Sequence, residues 1–555
     1  MKTIQRIALI LFLFHFIIGC TNTIRLPADG AESQKQGGIN GQIPDFHGDT
    51  EILVQPGEDV ASKPRLYIAD EIQSSYRDQL FKREDLEITT EKENSDIRIE
   101  IYQEKKHESQ DVNLVEWLYV AAVPFQYPAD AIESWDIQRA WQGMRFQQFD
   151  FQPLLVSQET AAYFASKWGP ANRKSVKIYA AEKLLEAALE YPGAWALLPF
   201  EQVTPAWRIL SVGGQFPLSR TLDRQSYPLI ARYLIHSDSA VIPAESLWET
   251  NLDSKEMTSL LLTGTTAFVR NLAFQIEKEG MAFAIEAIQP VFMESDLSHL
   301  SNEVPMFADC PPAVPLRVEM RFCSDPSYIR LFTQLDVSFV ELSGNHQMDW
   351  WEEPFLETLA LYTSHNLPTV GGGRNLEEAL KPLELEDHGN RFVFFSCNAV
   401  GPEENIALED RAGSAPCNVE KLMLDIADYR AKGFLPIVLL QHIEVDTITP
   451  HSLQRIEFAQ LAQAGAVIVS GSQAHRPQTY AFYQDSLLHY GLGNTFFDQT
   501  RAPYHYGIMD RHYFYRSKYI TTEILPVEIT EDFQTIMMSP AKRPAFLAEI
   551  LGEME

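Results

Sequence analysis

The chain has 555 residues, a formal net charge of −31, 45% hydrophobic side chains and 22% charged side chains. This composition is that of a globular protein, and the length exceeds what one hydrophobic core usually supports, so two or more domains are expected. The strong negative charge argues against binding to nucleic acid or to anionic lipid headgroups, because like charges repel.

The first twenty residues have the pattern of an export signal. Lys2 and Arg6 precede an apolar run over residues 7–18, which ends at a Gly-Cys pair. The run is too short to cross a bilayer comfortably. The letters IIGC resemble a bacterial lipobox, so we predict a lipoprotein signal peptide over residues 1–19 and lipidation of Cys20. The alternatives are an ordinary signal peptide with a coincidental cysteine and an uncleaved membrane anchor, and both also place the body outside the cytoplasm.

A flexible tether is predicted over residues 20–50, which contain Gly, Asn, Gln and Pro. No later segment has the roughly eighteen unbroken apolar residues that a membrane helix requires. We therefore expect a body on the extracytoplasmic side of the cell membrane, anchored by the lipid on Cys20. Loss of Lys2 and Arg6 with the signal would take the formal charge from −31 to −33.

Residues 51–250 alternate strand-like runs with amphipathic helices. In the segment 175–203, apolar residues recur at helical spacing from Ala180 to Leu189, a Pro-Gly pair ends the helix, and AWALLPF follows as a buried strand. This order indicates an α/β layer arrangement. The segment and the strand and turn signals after it resemble the second lobe of a periplasmic substrate-binding protein. The alternative is an α/β domain that only spaces the next domain from the membrane.

A second α/β domain is predicted over residues 257–525, with a C-terminal extension over residues 526–555. Its apolar runs end in small or polar residues, as in SLLLTGTTAFVR, DVSFVELSGNH, RFVFFSCN, FLPIVLLQHIE, GAVIVSGSQAH and SLLHYGLGNTFFD. In open α/β sheets, functional residues gather at the carboxyl ends of the strands. These turns are therefore expected to meet in one cleft.

Four cysteines are left if Cys20 carries lipid, and an even number in an exported chain permits two disulfides. Of the three pairings that four cysteines allow, the simplest joins sequence neighbours, Cys310 with Cys323 and Cys397 with Cys417. None of them has the CxxC spacing of a thiolate metal site.

The turns of the second domain supply candidate metal ligands. Metal-assisted hydrolysis uses imidazole, amide or carboxylate ligands. The candidates at or near strand ends are Asn345, His346, His442, His475, Glu303, Asp349 and Glu444. Each histidine alone is better explained as a hydrogen-bonded structural residue than as a ligand, but three at successive strand ends favour a shared site.

From about residue 260 to residue 498 the chain resembles the CapA family of poly-γ-glutamate capsule biosynthesis proteins, whose domain is similar to calcineurin-like metallophosphoesterases. The matching motifs, in family order, are LLTGTTAFVR, SDLSHLSNEVP, VELSGNHQMDW, GGGRNLEEALKP, LLQHIE, LAQAGAVIVSGSQAHRP and YGLGNTFFD. The resemblance implies an α/β fold in which a four-layer metallophosphatase-like domain follows the periplasmic-binding-protein-like domain. It also implies a hydrolase-type metal site.

By this resemblance the metal ligands are Glu303, Asn345, His346, His442 and His475. The chain departs from the family where Thr265 replaces the aspartate of the first Gly-Asp, Gln473 replaces a histidine, and Ser301 replaces the asparagine of the Asn-Leu-Glu motif. The first two changes remove an anionic oxygen and an imidazole, so one divalent ion (Mn, Zn or Fe) is expected rather than two. Such an ion would lower the pKa of its bound water towards ~7.

Catalysis is assigned to His346, His442 and Glu444, with Glu444 as a base or an extra ligand; the alternative is that Glu444 is a solvated surface residue. Asp349 is expected to cap the helix that follows it rather than to bind metal. The residues assigned to an anionic substrate are Arg374, Gln473 and Arg476. Each arginine has the alternative of pairing with a surface carboxylate.

Three functions follow from these features. The first is a membrane-anchored CapA-like protein that acts, with the capsule synthesis machinery, in synthesis, export or attachment of an extracellular anionic polymer such as poly-γ-glutamate. The second is a catalytically degenerate ligand-binding lipoprotein. The third is a phosphoesterase that acts on exported substrates. The predicted partners are the membrane, through Cys20, and the polymer or its machinery, with no nucleic acid.

Overall fold

The computed structural model describes residues 62–102, 113–144, 153–191, 193–237, 243–247, 250–315 and 320–554. The predicted signal peptide, lipidation site and tether lie outside these residues. In the part of the chain that the structure describes, no helix has the length and apolar character needed to cross a membrane.

The N-terminal part of the described chain forms a mixed sheet with helices packed on it. Its elements are β1 (Arg65–Ile68), α1 (Ser74–Phe81), β2 (Glu87–Thr89), β3 (Ile97–Ile101), β4 (Leu114–Pro124), β5 (Ala131–Ile132), α2 (Ser134–Gln142), β6 (Leu154–Ser157), α3 (Gln158–Trp168), β7 (Val176–Tyr179), α4 (Leu184–Glu190), β8 (Trp195–Pro199), β9 (Trp207–Ile209), β10 (Ser211–Val212) and β11 (Ile230–Ser237). The strand order is β2-β1-β3-β11-β4-β8-β6-β7, and β9 also pairs with β4. β5 and β10 pair separately.

The long strand β4 holds this sheet together because nearly all of its eleven residues are buried. It pairs antiparallel with β11 along one part of its length and with β8 along another. The predicted helix and strand of the segment 175–203 are present as α4 and β8, and Gly193 between them has a φ of 82°. A positive φ suits glycine, which lacks the Cβ that makes this conformation costly.

The C-terminal part begins with a strand and continues through nine helices and seventeen strands among the described residues. Its first half contains β12 (Met257–Leu262), β13 (Thr265–Thr266), α5 (Arg270–Glu279), α6 (Met281–Ile285), α7 (Gln289–Met293), β14 (Leu297–Asn302), α8 (Ile329–Gln334), β15 (Phe339–Glu341), α9 (Glu352–Ser364), β16 (Thr369–Val370), β17 (Gly372–Gly373), α10 (Leu376–Ala379), β18 (Leu383–Asp387), β19 (Asn390–Asn398) and β20 (Gly413–Ser414). Its second half contains α11 (Val419–Ala431), β21 (Leu435–Gln441), α12 (Ser452–Gln463), β22 (Ile468–Ser472), β23 (Tyr480–Tyr483), β24 (Ser486–His489), β25 (Asn494–Phe496), β26 (Tyr506–Tyr515), β27 (Lys518–Ile529), β28 (Thr535–Met537) and α13 (Arg543–Leu551).

Two sheets face each other in this part. The first has the order β16-β15-β14-β12-β26-β27-β28, and the second has the order β18-β19-β21-β22-β24-β23. Side chains alternate across each strand: Leu260 and Leu262 enter the core between the sheets, whereas Leu261 packs against the outer helices. Helices α5 to α9 cover the first sheet, and α11 and α12 cover the second. The domain is therefore a four-layer α/β/β/α sandwich, and the predicted two-domain α/β fold class is confirmed.

The two parts share apolar contacts. Tyr513 and Tyr515 of β26 belong to the core of the N-terminal sheet, and the Thr521 hydroxyl donates a hydrogen bond to the Trp207 carbonyl at 2.8 Å. Residues 62–555 accordingly form one compact unit. β27 runs across the predicted boundary at residue 525, so the domain limits that we read from the sequence stay predictions.

Both expected disulfides are present. Cys310 bonds to Cys323 and Cys397 bonds to Cys417. The pairing of sequence neighbours is confirmed for the described residues, and it consumes all four cysteines that follow Cys20.

Candidate functional site

The polar turns of the sandwich meet at the carboxyl ends of its parallel strands. Asn345, four residues after β15 ends, accepts a hydrogen bond through Oδ1 from Nε2 of Gln441 at the end of β21, at 3.2 Å. Gly344 lies against the turn after β14, because a Cβ there would stand 2.8 Å from the Cα of Glu303. Two turns of the first sheet and one of the second are thus brought together, as the sequence predicted.

Glu341 is a buried carboxylate at the centre of this edge. Its Oε1 accepts hydrogen bonds from Ser343, from Ser396 of β19 at 3.1 Å and from Ser472 of β22 at 3.2 Å. Its Oε2 lies 3.4 Å from Nε2 of His299 on β14. This one side chain therefore joins both sheets.

The ionised form of Glu341 is favoured despite its burial. Burial raises the pKa of this carboxyl, but the hydrogen bond and charge of His299 and the hydrogen bond from Ser343 outweigh it and lower the pKa below the ordinary value of 4.5. Hydrogen bonds to a carboxylate favour its charged form. The site is thus built around a fixed negative charge.

His346 is held by a carboxylate on one side of its ring. Nδ1 of His346 lies 2.9 Å from Oδ2 of Asp349, and the ring packs against Phe322 with centroids 4.8 Å apart. Burial lowers its pKa, but the hydrogen bond that the ring donates to Asp349 and the charges of Glu303 and Asp349 raise it above the ordinary 6.5. In the described residues Nε2 makes no hydrogen bond, so this nitrogen is available to contact a bound substrate.

His442 is buried, and both of its ring nitrogens are engaged. Nδ1 accepts a hydrogen bond from the Ile443 amide at 2.8 Å, so Nε2 carries the proton and lies 2.8 Å from Oε2 of Glu457 on α12. Burial lowers the pKa of His442 although Glu457 acts in the opposite direction. The imidazole is therefore neutral at neutral pH, with its lone pair already used.

His475 and its neighbours contribute further polar atoms. Nδ1 of His475 lies 2.8 Å from Oδ1 of Asn494, the first residue of β25. Among the described residues, the buried oxygen atoms without a hydrogen bond include Oγ1 of Thr265, Oε1 of Glu303 and Oε1 of Gln473. Gln473 also adopts a positive φ of 83°, a conformation that costs a non-glycine residue energy and is frequent at functional sites.

The expectation that Asp349 caps the following helix is wrong. The N-cap position of α9 is Trp351, which makes no side-chain cap. Asp349 instead accepts the amide hydrogen of Phe322 at 2.7 Å in addition to binding His346. The fold brings the chain around Phe322 next to the turn. The Phe322 amide therefore bonds to Asp349 in place of the amides at the start of α9.

The remaining predicted site residues lie at the surface or in ion pairs. Arg374 pairs with Glu378 at 2.9 Å, one helical turn further on. Arg476 lies 3.7 Å from Asp446 and 3.8 Å from Glu549. Glu444 is exposed. Both arginines thus adopt the alternative that the sequence left open, in which a surface carboxylate is the partner.

The predicted metal ligands do not fit one ion in this arrangement. Among the residues that the structure describes, no three of the histidine and acidic candidates at this site place ligand atoms within 4.8 Å of one another. His442 has no free lone pair, and a raised pKa works against His346 as a ligand because a protonated imidazole cannot bind a metal. The ligand set that the sequence suggested stays a prediction.

One carboxylate and histidine group does meet that distance, at another place in the fold. Asp296, Asp387 and His388 lie within 4.8 Å of one another, and His388 follows β18 in a tight turn. A group that could hold a metal is therefore present in the described chain. Arg220, at 3.3 Å from Asp296, offsets part of its negative charge.

Sequence reasoning missed two charged residues of the site. Glu341 ends an apolar strand, and a single acidic residue at the end of such a run was its only signal. Arg270 pairs with Asp498 through two hydrogen bonds and lies over the Phe322 ring at 4.8 Å. Nothing local to Arg270 in the sequence indicates this pairing, because Asp498 is more than two hundred residues away.

A four-layer sandwich with its polar turns gathered at the carboxyl ends of parallel strands is the architecture expected of a metallophosphatase-like domain. Residues 259–499 match the family described as Bacterial capsule synthesis protein PGA_cap. The family match and the curated CapA relatives support the resemblance to the CapA family that the motifs predicted.

Two related proteins and one solved structure show the extent of the similarity. The PGA biosynthesis protein CapA of Bacillus subtilis (strain 168) is 22% identical over 284 residues, which cover 50% of this chain and 73% of that protein. The capsule biosynthesis protein CapA of Bacillus anthracis is 21% identical over 278 residues, which cover 49% and 67%. An ABC-type phosphate transport receptor from Vibrio cholerae aligns with a TM-score of 0.26 and 11% identity over 33% of this chain and 90% of the receptor.

Proposed function

We propose that this chain acts in synthesis, export or attachment of an extracellular anionic polymer of the poly-γ-glutamate type. The observation that carries the proposal is the family match over residues 259–499, supported by the names of the two CapA relatives. The lipobox-like letters around Cys20 support a lipid anchor on the extracytoplasmic side of the cell membrane. The capsule synthesis machinery is then the partner.

The role of His346 in this proposal is that of a proton donor. Asp349 accepts a hydrogen bond from Nδ1–H, which fixes the ring and stabilises the imidazolium form, as a carboxylate partner does in other acid–base sites. The raised pKa keeps a larger share of His346 protonated near neutral pH. Nε2–H can then donate to a leaving group or to a carboxylate of the polymer. Glu341 is buried and bonds to Ser343 at the start of this turn, so in the proposal it stabilises the turn and does not contact the polymer.

The proposal is tested in the source bacterium. The chromosomal gene is deleted, or is replaced by wild type, by His346→Ala or by His365→Ala, and extracellular glutamate polymer is measured after acid hydrolysis. His365 is a matched control because it is exposed and bonds only to the end of its own helix. We expect polymer to fall strongly in His346→Ala alone; unchanged polymer in the gene deletion would refute the role.

The anchor is tested by Cys20→Ala in the same strain. We expect the protein to leave the membrane fraction while its amount stays the same. Retention of the variant in the membrane fraction would show that another segment holds it.

Direct handling of the polymer faces a charge problem. A formal charge of −31 repels polyglutamate, most strongly at low salt. We expect binding of purified poly-γ-glutamate only with a divalent cation such as Ca²⁺ present, and it should weaken as salt is raised. If the polymer does not bind with or without the cation, direct polymer binding is excluded, and the protein would act only through the other proteins of the capsule synthesis machinery.

The number and identity of metal ions are part of the same proposal. The single ion (Mn, Zn or Fe) suggested by the resemblance requires His442 to leave Glu457. We expect less than one equivalent of these metals in purified wild type, because both nitrogens of His442 are engaged. A full equivalent that is lost in His442→Ala would show that the side chain turns towards an ion.

The engagement of His442 also favours a second candidate, a catalytically degenerate protein that binds its ligand without turnover. The two are separated by a generic phosphoester substrate. Hydrolysis that disappears in His346→Ala would exclude the degenerate protein and favour a phosphoesterase acting on exported substrates.

A further inference from the structure

A cavity of about 270 Å³ lies between the two parts of the described chain, away from the turns of the candidate site. Its walls come from the region of β5, β9 and β10 in the N-terminal part and from β27 and the start of α13 in the C-terminal part. Its lining includes apolar side chains, among them Ile209, Phe216 and Leu525, as well as charged side chains. The cavity is therefore amphipathic.

Arg208 is the central charged residue of this cavity. It is only 3% exposed, and its Nη2 donates hydrogen bonds to the carbonyl oxygens of Tyr127, at 2.9 Å, and Ala129. Within the described residues Nη1 has no hydrogen-bond partner, and no carboxylate forms an ion pair with this guanidinium. A buried charge without a counter-charge is costly, since it has lost its hydration.

Arg208 keeps its charge in this position. Burial lowers its pKa to about 10, with the charge of Asp130 acting in the opposite direction. The guanidinium is thus protonated at neutral pH, and the cost of its burial has to be offset by an anion or by water.

A second arginine stands beside it. Nε of Arg543, at the start of α13, lies 3.0 Å from Oδ2 of Asp130. Glu523 also lines the cavity, but its carboxylate is 3.0 Å from Nη1 of Arg511, and burial raises its pKa. Asp130 is thus the ion-pair partner of Arg543, and Glu523 is engaged by Arg511, which also pairs with Glu294. Among the described residues, Nη1 of Arg208 is left without a partner beside them.

We propose that this cavity binds a small monocarboxylate with an apolar chain. The carboxylate lies against Arg208 and Arg543, because guanidinium and carboxylate form paired, charge-assisted hydrogen bonds. The apolar chain lies against Ile209, Phe216 and Leu525. A cavity of roughly 150 Å³ holds benzene, so the larger volume here accommodates a fatty acid of medium length.

The site is independent of the polymer chemistry proposed above. Among the described residues, neither His346 nor Glu341 lines this cavity. The walls include strands from the N-terminal part, which lies outside the family match at residues 259–499. A ligand here would bridge β9 and β27, whose contact includes the hydrogen bond from Thr521 to Trp207.

The experiment is a calorimetric titration of the full-length protein with hexanoate, with hexanamide as its neutral match and inorganic phosphate as the alternative anion. We expect saturable one-site binding of hexanoate and no binding of hexanamide. Arg543→Met, at the 23% exposed rim position, should weaken hexanoate binding by about tenfold, which corresponds to one lost hydrogen bond to a charged group. Arg208→Met should abolish it.

Arg139→Met is the matched control, because Arg139 lies on α2 and pairs only with Asp136 of the same helix. It should bind hexanoate as wild type does. If Arg208→Met fails to fold, Arg543→Met and hexanamide still decide the question. The proposal is overturned if hexanoate does not bind, if hexanamide binds equally well, if phosphate binds more tightly, or if Arg543→Met leaves the affinity unchanged.

Discussion

The turn after β15 and the turn after β21 carry a histidine each at the same edge of the sandwich, and each imidazole contacts a carboxylate. At His346 the carboxylate is Asp349, three residues away, and only Nδ1 is engaged within the described chain. At His442 the carboxylate is Glu457 on the covering helix, and the second nitrogen accepts a backbone amide. The pKa is raised at the first and lowered at the second.

The difference shows that position at a strand end does not define a histidine's chemistry. His346 is prepared to be charged and to donate a proton, whereas His442 is prepared to be neutral and links β21 to α12. What distinguishes them is the side from which the carboxylate approaches and whether the other nitrogen is used. The roles can therefore be separated by changing those partners one at a time.

The largest effect on the free energy of unfolding is expected at Glu341, the last residue of β15, which precedes the turn that carries His346. Glu341→Ala leaves His299 and three serine hydroxyls without their shared buried acceptor, so we expect a loss of about 3–5 kcal/mol in the free energy of unfolding. Denaturant titration measures it. Glu404→Ala, an exposed glutamate, is the control and should change stability by less than about 0.5 kcal/mol. Equal losses in both would mean that Glu341 is not the centre of the site.

The β15 turn also shows what the sequence could and could not predict. Apolar runs that end in small or polar residues identified the strands, and the rule that strand carboxyl ends meet in a cleft brought Asn345 next to Gln441. The cap expected of Asp349 failed because the Phe322 amide, 27 residues earlier, became its donor. The pairing of His442 with Glu457 likewise depends on where α12 packs, which no local pattern specifies.

The second prediction uses the opposite pKa shifts. A histidine whose pKa is raised on folding stabilises the fold fully below the unfolded value of about 6.5, and this contribution is lost as pH rises through the folded pKa. A histidine whose pKa is lowered costs stability as pH falls below that same unfolded value, until the folded pKa is passed. His346→Gln should therefore flatten the alkaline side of the pH profile of stability, and His442→Gln the acidic side.

The measurement is the free energy of unfolding between pH 5 and pH 9 for wild type and both variants. Each variant should flatten its own side of the profile and leave the other side unchanged. The comparison fails if both variants change the same side of the profile.

The third prediction concerns Asp349, the residue that gives His346 its character. Asp349→Asn removes the negative charge but keeps an oxygen that can accept the Phe322 amide, so the fold should lose only about 1 kcal/mol. The pKa of His346 should fall, because burial then acts against a weaker partner. A histidine-resolved NMR titration measures it, with Asp325→Asn as the control on a separate turn. An unchanged pKa would assign the shift to Glu303 instead.

The smallest effect is expected at Arg374, the predicted substrate cation that the structure places on the surface. Its partner Glu378 is four residues away, and both side chains are well exposed, so solvent and salt screen the pair. Arg374→Gln should change the free energy of unfolding by less than about 0.5 kcal/mol. It should also leave the pKa of His346 unchanged, because Arg374 is not among the groups that shift it. A change in that pKa would mean that the Arg374 side chain reaches the turn after β15 and acts on His346.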